Sequence, residues 1–315
     1  MINFRFHLAS LVAIFLALAL GVVIGAGVVD RGVVDALDNR LNTVEERSNQ
    51  IKAENDLLKS QIGEKDAYMA GLAKQALTSR LTNVDVGVVA VRGVDGDRVN
   101  DTVAALTSGG ANVTGVLWLE SPWSLETPEQ ISSLANAIGS TARRPAALRD
   151  QAWQQLAARF AEAPSDVEAT PGDDVLVALD EAGFVSFDGP QGGGTVVQFP
   201  GLSASIVLVV GTNGDVASSD VVMPAATAIS ADLLPLVVGD VYDATATDAG
   251  DRGTAFVQLR RSSLSTIVST VDDLDRPQGP PTVALALADL LRVPPVVGHY
   301  GLGAETVPLP APVGS

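Results

Sequence analysis

The chain has 315 residues, but an apolar opening segment and a polar helical stretch take up its first quarter, leaving about 230 residues for one globular core. Twenty basic against thirty-seven acidic residues give a net charge of −17, which repels phosphate backbones and excludes nucleic acid as an expected partner. Cysteine is absent, so disulfides, thiolate metal sites and a cysteine nucleophile are all excluded.

The first element is the uncharged run Leu8–Val29, which as a helix spans about 33 Å and crosses a hydrocarbon core with slight tilt. A cleaved signal peptide is the plainer alternative, but its apolar stretch is normally shorter and Gly25-Ala26-Gly27 is a poor cleavage site. Arg5 and the α-amino group flank one end, whereas Asp30, Arg31, Asp35 and Asp38 flank the other. The positive-inside bias then places the N-terminus in the cytoplasm and the bulk of the chain outside. The expected location is the plasma membrane, with the outer membrane as the alternative.

From Val34 to Leu72 the apolar positions alternate three and four apart over about five heptads. Leu37, Val44, Ile51 and Leu58 take the d positions, while Leu41, Ser48, Asn55, Ile62 and Met69 take the a positions, with Lys65 a flaw at d. Asn55 at an a position favours a two-stranded parallel coiled coil at some cost in stability. Two alternatives stay open: a helix folded back on its own domain, or a mixed coiled coil with another membrane-anchored envelope protein. In each case the stalk reaches up to about 55 Å from the bilayer.

After Thr82 the pattern changes to alternating strands and helices. Solid apolar strands are expected at Asp85–Val91, Val113–Leu119, Ile206–Val210, Leu236–Val238 and Ile267–Val271, and helices from near Asp97, at Pro128–Ile138, Ala146–Ala161 and Gly279–Leu291. Such strands imply a parallel sheet covered on both faces, in a Rossmann-like or flavodoxin-like α/β layout. Gly183 to Leu202 reads as loop. The expected organisation is a tip and anchor over 1–30, a stalk over 31–80, an extracytoplasmic α/β domain over 81–303 and a flexible tail over 304–315.

A ligand in such a sheet sits at the carboxyl ends of strands, which here carry Arg92, Asp95, Glu120, Thr212, Asp240 and the run Ser269-Thr270-Val271-Asp272-Asp273. Thr270, Asp272, Asp273 and His299 form the candidate ligand cluster, although a helix-entry turn whose carboxylates cap backbone N–H groups is the plainer reading. The first turn, Gly93-Val94-Asp95-Gly96, matches neither nucleotide-binding glycine pattern, and Gly301-Leu302-Gly303 is too short to replace one. Ser269, His299 and Asp272 could be drawn as a hydrolytic triad, but no nucleophile elbow precedes them, so no catalytic residue is assigned. Soft-metal ligands are sparse, and the acidic loop Asp240, Asp243, Asp248 and Asp251 lacks EF-hand spacing, so no metal site or cofactor is assigned either.

Taken together, Ile2-Asn3-Phe4-Arg5-Phe6-His7, the stalk, Ser269-Thr270-Val271-Asp272-Asp273 and Gly298-His299-Tyr300-Gly301 resemble the actinobacterial mycobacterial copper transport protein B family over essentially the whole chain. The resemblance implies an envelope protein described as a copper transporter or outer-membrane channel. Its corynebacterial branch implies instead a role in cell separation, with the stalk pairing with a membrane partner and the complex regulating a peptidoglycan hydrolase. Because the residues supply a seam but few copper ligands, the expectation is a non-catalytic anchor that binds envelope partners, with copper efflux as the alternative; copper enters only through the resemblance.

Overall fold

The computed structural model describes residues 4–162, 174–190, 192–199, 205–246 and 250–310, so Asp248 and the last five residues of the expected tail lie outside the described part. The chain divides into two units, Met1–Asp66 and Ala67–Ser315. The first is helical: α1 spans Phe4–Leu77, and its stretch Phe4–Gly25 is long and apolar enough to cross a membrane. Leu37, Leu41, Val44, Ile51, Leu58 and Ile62 are all exposed in the single chain. No coiled coil is thereby demonstrated; a row of solvated large aliphatic side chains is what the chain itself provides.

The second unit is α/β, as its strand pattern predicts. Its strands are β1 (Asp85–Val91), β2 (Asn112–Leu119), β3 (Val185–Asp188), β4 (Ser205–Gly211), β5 (Leu236–Val241), β6 (Ser269–Val271) and β7 (His299–Tyr300), laid in the order β3-β2-β1-β4-β5-β6-β7. That is the Rossmann strand order with an extra strand, and every neighbouring pair is parallel except β2 with β3. Four helices lie over the sheet: α2 (Gly96–Ser108) packs on α8 (Gly279–Leu290), and α4 (Pro145–Ala161) packs on α6 (Ser218–Ala231). Burial of Val88, Val89, Leu208, Val209, Val237 and Val238 on the central strands explains why these strands read as solid apolar runs rather than alternating ones.

The first helix of this unit starts where expected, at Gly96, with Asp95 as its cap: the Asp95 carboxylate accepts from the Asp97 N–H at 3.0 Å. Two expectations need correction. The sheet is not wholly parallel. The chain leaves β2, makes α3 (Pro128–Ala137), α4 and α5 (Val175–Glu181), and re-enters the edge as the antiparallel β3 within the stretch read as loop. Helix α6 escaped notice because Pro224 sits inside it and Ala217 at its N-cap supplies no capping side chain.

A bulge in β2 puts Thr114 between the pairs Val86–Val113 and Gly87–Gly115. Gly115 has φ of +139°, and a Cβ there would lie 2.6 Å from the Phe187 ring. Gly115→Ala is therefore expected to cost about 1–3 kcal/mol, by overpacking on β3, measured as a drop in the urea midpoint of the full chain. An unchanged midpoint would show that β3 yields freely.

Candidate functional site

The carboxyl-edge residues sort into three groups. At the β1–β2 end, Arg92 pairs with Glu120 at 2.8 Å and lies over the Trp118 ring at 4.3 Å, while the Ser186 hydroxyl donates to Glu120 at 2.6 Å. Burial works against the Glu120 charge, but the hydrogen bonds from Arg92 and Ser186, with Arg92's charge, outweigh it and hold the carboxyl below its ordinary range. This group ties the antiparallel edge strand to the parallel sheet.

The second group occupies the point where strand order reverses, between β1 and β4, where doubly wound sheets bind ligands. Here the Asp215 N–H donates to the Arg92 carbonyl at 2.7 Å, and Gly93, at φ +89°, leaves room that a Cβ would contest with the Asn213 carbonyl at 2.7 Å. The two loops are thus stitched together by backbone at the crevice. Thr212 accepts from the Asp243 N–H at 2.9 Å.

The third group contains the candidate ligand cluster. Strands β6 and β7 pair Thr270 with His299 and Val271 with Tyr300, so two of the four features behind the family resemblance contain adjacent strands. Fully buried Asp272 pairs with Arg260 at 3.0 Å and accepts from the backbone N–H groups of Leu302 at 2.9 Å and Gly303 at 3.1 Å. A Cβ on Gly301 would overlap the Asp272 carboxylate, and one on Gly303 would lie 2.6 Å from it. Gly301-Leu302-Gly303 therefore wraps an internal carboxylate, much as a phosphate loop wraps an anion. Arg260 also donates to the Thr270 hydroxyl at 3.1 Å, and Thr270 contacts His299 Nδ1 at 2.9 Å. Burial and the Arg260 charge push the His299 imidazole below its ordinary pKa, against a backbone hydrogen bond at Ser265.

Thr270, Asp272 and His299 thus share one network, but the triad arrangement is not assembled. His299 pairs with Thr270 rather than Asp272, and the Ser269 hydroxyl oxygen accepts from the Gly298 N–H at 3.1 Å. Asp273 stands apart, with Oδ2 accepting from Gln278 at 3.0 Å and Oδ1 buried without a partner. Sequence reasoning missed Arg260 and Arg252; the latter grips Asp275 with both terminal guanidinium nitrogens, at 2.5 and 2.8 Å. Arg260 ends the short helix α7 (Val257–Arg260), and nothing in the local pattern of either residue distinguishes it from a surface arginine, because the partners lie 12 and 23 residues away in the loop after β6.

Among the described residues Asp240, at the end of β5, is the other buried acid with an unpartnered oxygen. Burial and the Asp272 charge push its carboxyl up to about 7, against the pull of Arg252; burial chiefly raises Asp273 to about 6, against its hydrogen bond from Gln278. Both groups hold their protons more tightly folded than unfolded, where the ordinary value is 3.8. Their contribution to stability is thus full below that value and is lost as pH rises through about 6 and 7. The full chain is expected to melt lower at about pH 8 than at about pH 5, and Asp240→Asn to raise the melting point at the alkaline end and flatten the slope. A melting temperature independent of pH in that window would count against it.

Among the described residues, no group of three or more His, Cys, Asp or Glu side chains is arranged to hold a metal ion. The family described as "Copper transport outer membrane protein, MctB" matches residues 1–310. The chain belongs to the MctB family. Proteins named "Copper transporter MctB" from Mycobacterium bovis and from Mycobacterium tuberculosis strains CDC 1551 and H37Rv are each 28% identical to it over 317 residues, covering 96% of this chain and 97% of theirs. The MctB match takes in the apolar helix, the rest of α1 and the α/β unit together, so the resemblance carried by the short motifs extends to the whole architecture.

Proposed function

We propose that this MctB-family chain is a single-pass envelope protein that takes part in moving copper out of the cell. The observation that carries this reading is the match over residues 1–310, anchor included, to a family described by copper transport. Full-length relatives named copper transporters support it. In this reading the helix Phe4–Gly25 anchors the chain with Arg5 on the cytoplasmic side, and the α/β unit lies outside.

The donor chemistry bears on how. His299 is committed to Thr270, Met69 lies on α1 and Met223 on α6, so soft ligands are scattered rather than gathered. We therefore assign the chain a non-catalytic, assembling role. The seam Leu37, Leu41, Val44, Ser48, Ile51, Asn55, Leu58, Ile62 and Met69 joins two copies, or one copy and another membrane-anchored protein, and the assembly rather than one domain serves copper passage. Cell separation, the other role implied by the resemblance, has no support in the family's description or its relatives' names.

The test is to delete the gene in its native host and measure cell-associated copper, zinc and nickel after copper challenge. A rise confined to copper, reversed by the wild-type gene, is the expected result. Unchanged copper would overturn the reading, and an equal rise in all three metals would reduce it to a leaking envelope.

A further inference from the structure

Leu37, Leu41, Val44, Ile51, Leu58 and Ile62 stand exposed along α1, a row of large aliphatic side chains uncovered in the single chain. The residues among and beside them decide what covers it. Two a positions within the row are polar, Ser48 and Asn55, one heptad apart. A polar group buried against aliphatic side chains gives up its hydrogen bonds to water without replacement. The covering helix must therefore present polar groups at the same two heights. A second copy, parallel and in register, does so with no further condition, since Ser48 faces Ser48 and Asn55 faces Asn55. A slip of one heptad sets Asn55 against Ile62 and Ser48 against Leu41.

The flanking charges favour the same pairing. In a parallel pair each g residue meets the following e residue of the other helix. In register this joins Arg40 to Glu45 and Glu54 to Lys59, both attractive, against the single repulsive pairing of Arg47 with Lys52. The slip loses that balance: along one of its sides Arg40 meets Lys52, Arg47 meets Lys59 and Glu54 meets Asp66, all repulsive. Direction follows from the membrane-length helix Phe4–Gly25, because two copies anchored in one bilayer run the same way and start level. Lys65, at a d position, closes the row after Ile62. We infer that α1 pairs with a second copy of this chain, parallel and in register over Leu37–Ile62, as about 39 Å of two-stranded coiled coil with Ser48 and Asn55 as matched polar layers. The inference names the partner left open in the assembling role above; it rests on that role and on the anchor, and not on copper.

The chain has no cysteine, so single introduced thiols map the contact. Ser48→Cys at a, Leu58→Cys at d and Ala53→Cys on the opposite face are each made in the full chain, co-expressed with two tags of different size and oxidised mildly in native membranes. The first two are expected to give at least about tenfold more mixed-tag dimer than the third, because only a and d side chains meet across the seam. Sedimentation of the detergent-solubilised chain supplies a second reading. Glu54→Lys should weaken self-association by about two- to tenfold, and adding Lys59→Glu should restore it, a rescue that only the g-to-e contact of a parallel pair provides. Cross-links solely to a protein of another mass would overturn the second copy while leaving assembly through α1 standing. Equal yields at all three positions, or none, would overturn the pairing itself, and failure of the rescue would overturn its register. Cellular copper, measured separately, bears on the copper reading alone.

Discussion

Asp272→Ala should cost the folded chain about 3–5 kcal/mol, because it removes one member of a buried ion pair and strands the rest. Arg260, with 6% of its side chain exposed, would lose its carboxylate partner, and the N–H groups of Leu302 and Gly303 would lose their acceptor. Against a typical total of about 5–15 kcal/mol, that is a large fraction. All three tryptophans, Trp118, Trp123 and Trp153, are buried in the α/β unit, so urea unfolding followed by their fluorescence reads this unit directly. The midpoint should fall sharply with little change in slope. His299→Ala, which gives up the Thr270 contact of a half-buried ring, should cost only about 1 kcal/mol. If the two variants prove equal, Asp272 is not the centre of this network.

Leu41→Asp combined with Ile51→Asp should abolish self-association or partner binding through α1. Both side chains are more than half exposed in the single chain, and burying each against a second helix is worth about 1.5–3 kcal/mol. Replacing them with carboxylates removes that gain and places charge in the seam at both an a and a d position. Cross-linking in native membranes, with mass determination of the solubilised complex, should show the partner or second copy lost. Tryptophan fluorescence should not change, since neither position belongs to the core of the α/β unit. Asn55→Leu provides the opposite control: association should tighten while the two-stranded state gives way to a mixture. Complexes unaffected by the double aspartate variant would remove α1 as the assembly surface.

The apolar helix and the central strands were legible in the sequence because each depends on a local pattern: a long uncharged run or a short solid aliphatic run. The strands β1, β2, β4 and β5 and the helix α8 fall close to where the residues place them. Elements that fail local rules were not legible. Pro224 disguises α6, glycine and proline around Val185–Asp188 disguise β3, and β7 consists of only two residues. Of the candidate cluster, Thr270, Asp272 and His299 do meet, but the arginine that joins them has no local signature.

The sequence by itself determined that this chain has a membrane-length helix, a three-four apolar alternation along the stretch that follows it and an aliphatic α/β core, since hydrophobic period is set residue by residue. Only the tertiary structure decided what the polar residues at the strand ends do. It committed Asp272 to Arg260 and a glycine loop, tied Glu120 to the edge strand, and left Asp240 buried with an unpartnered oxygen. The physical reason is that a carboxylate's role follows from which distant donors reach it and how much water remains, and both are properties of packing rather than of neighbouring residues.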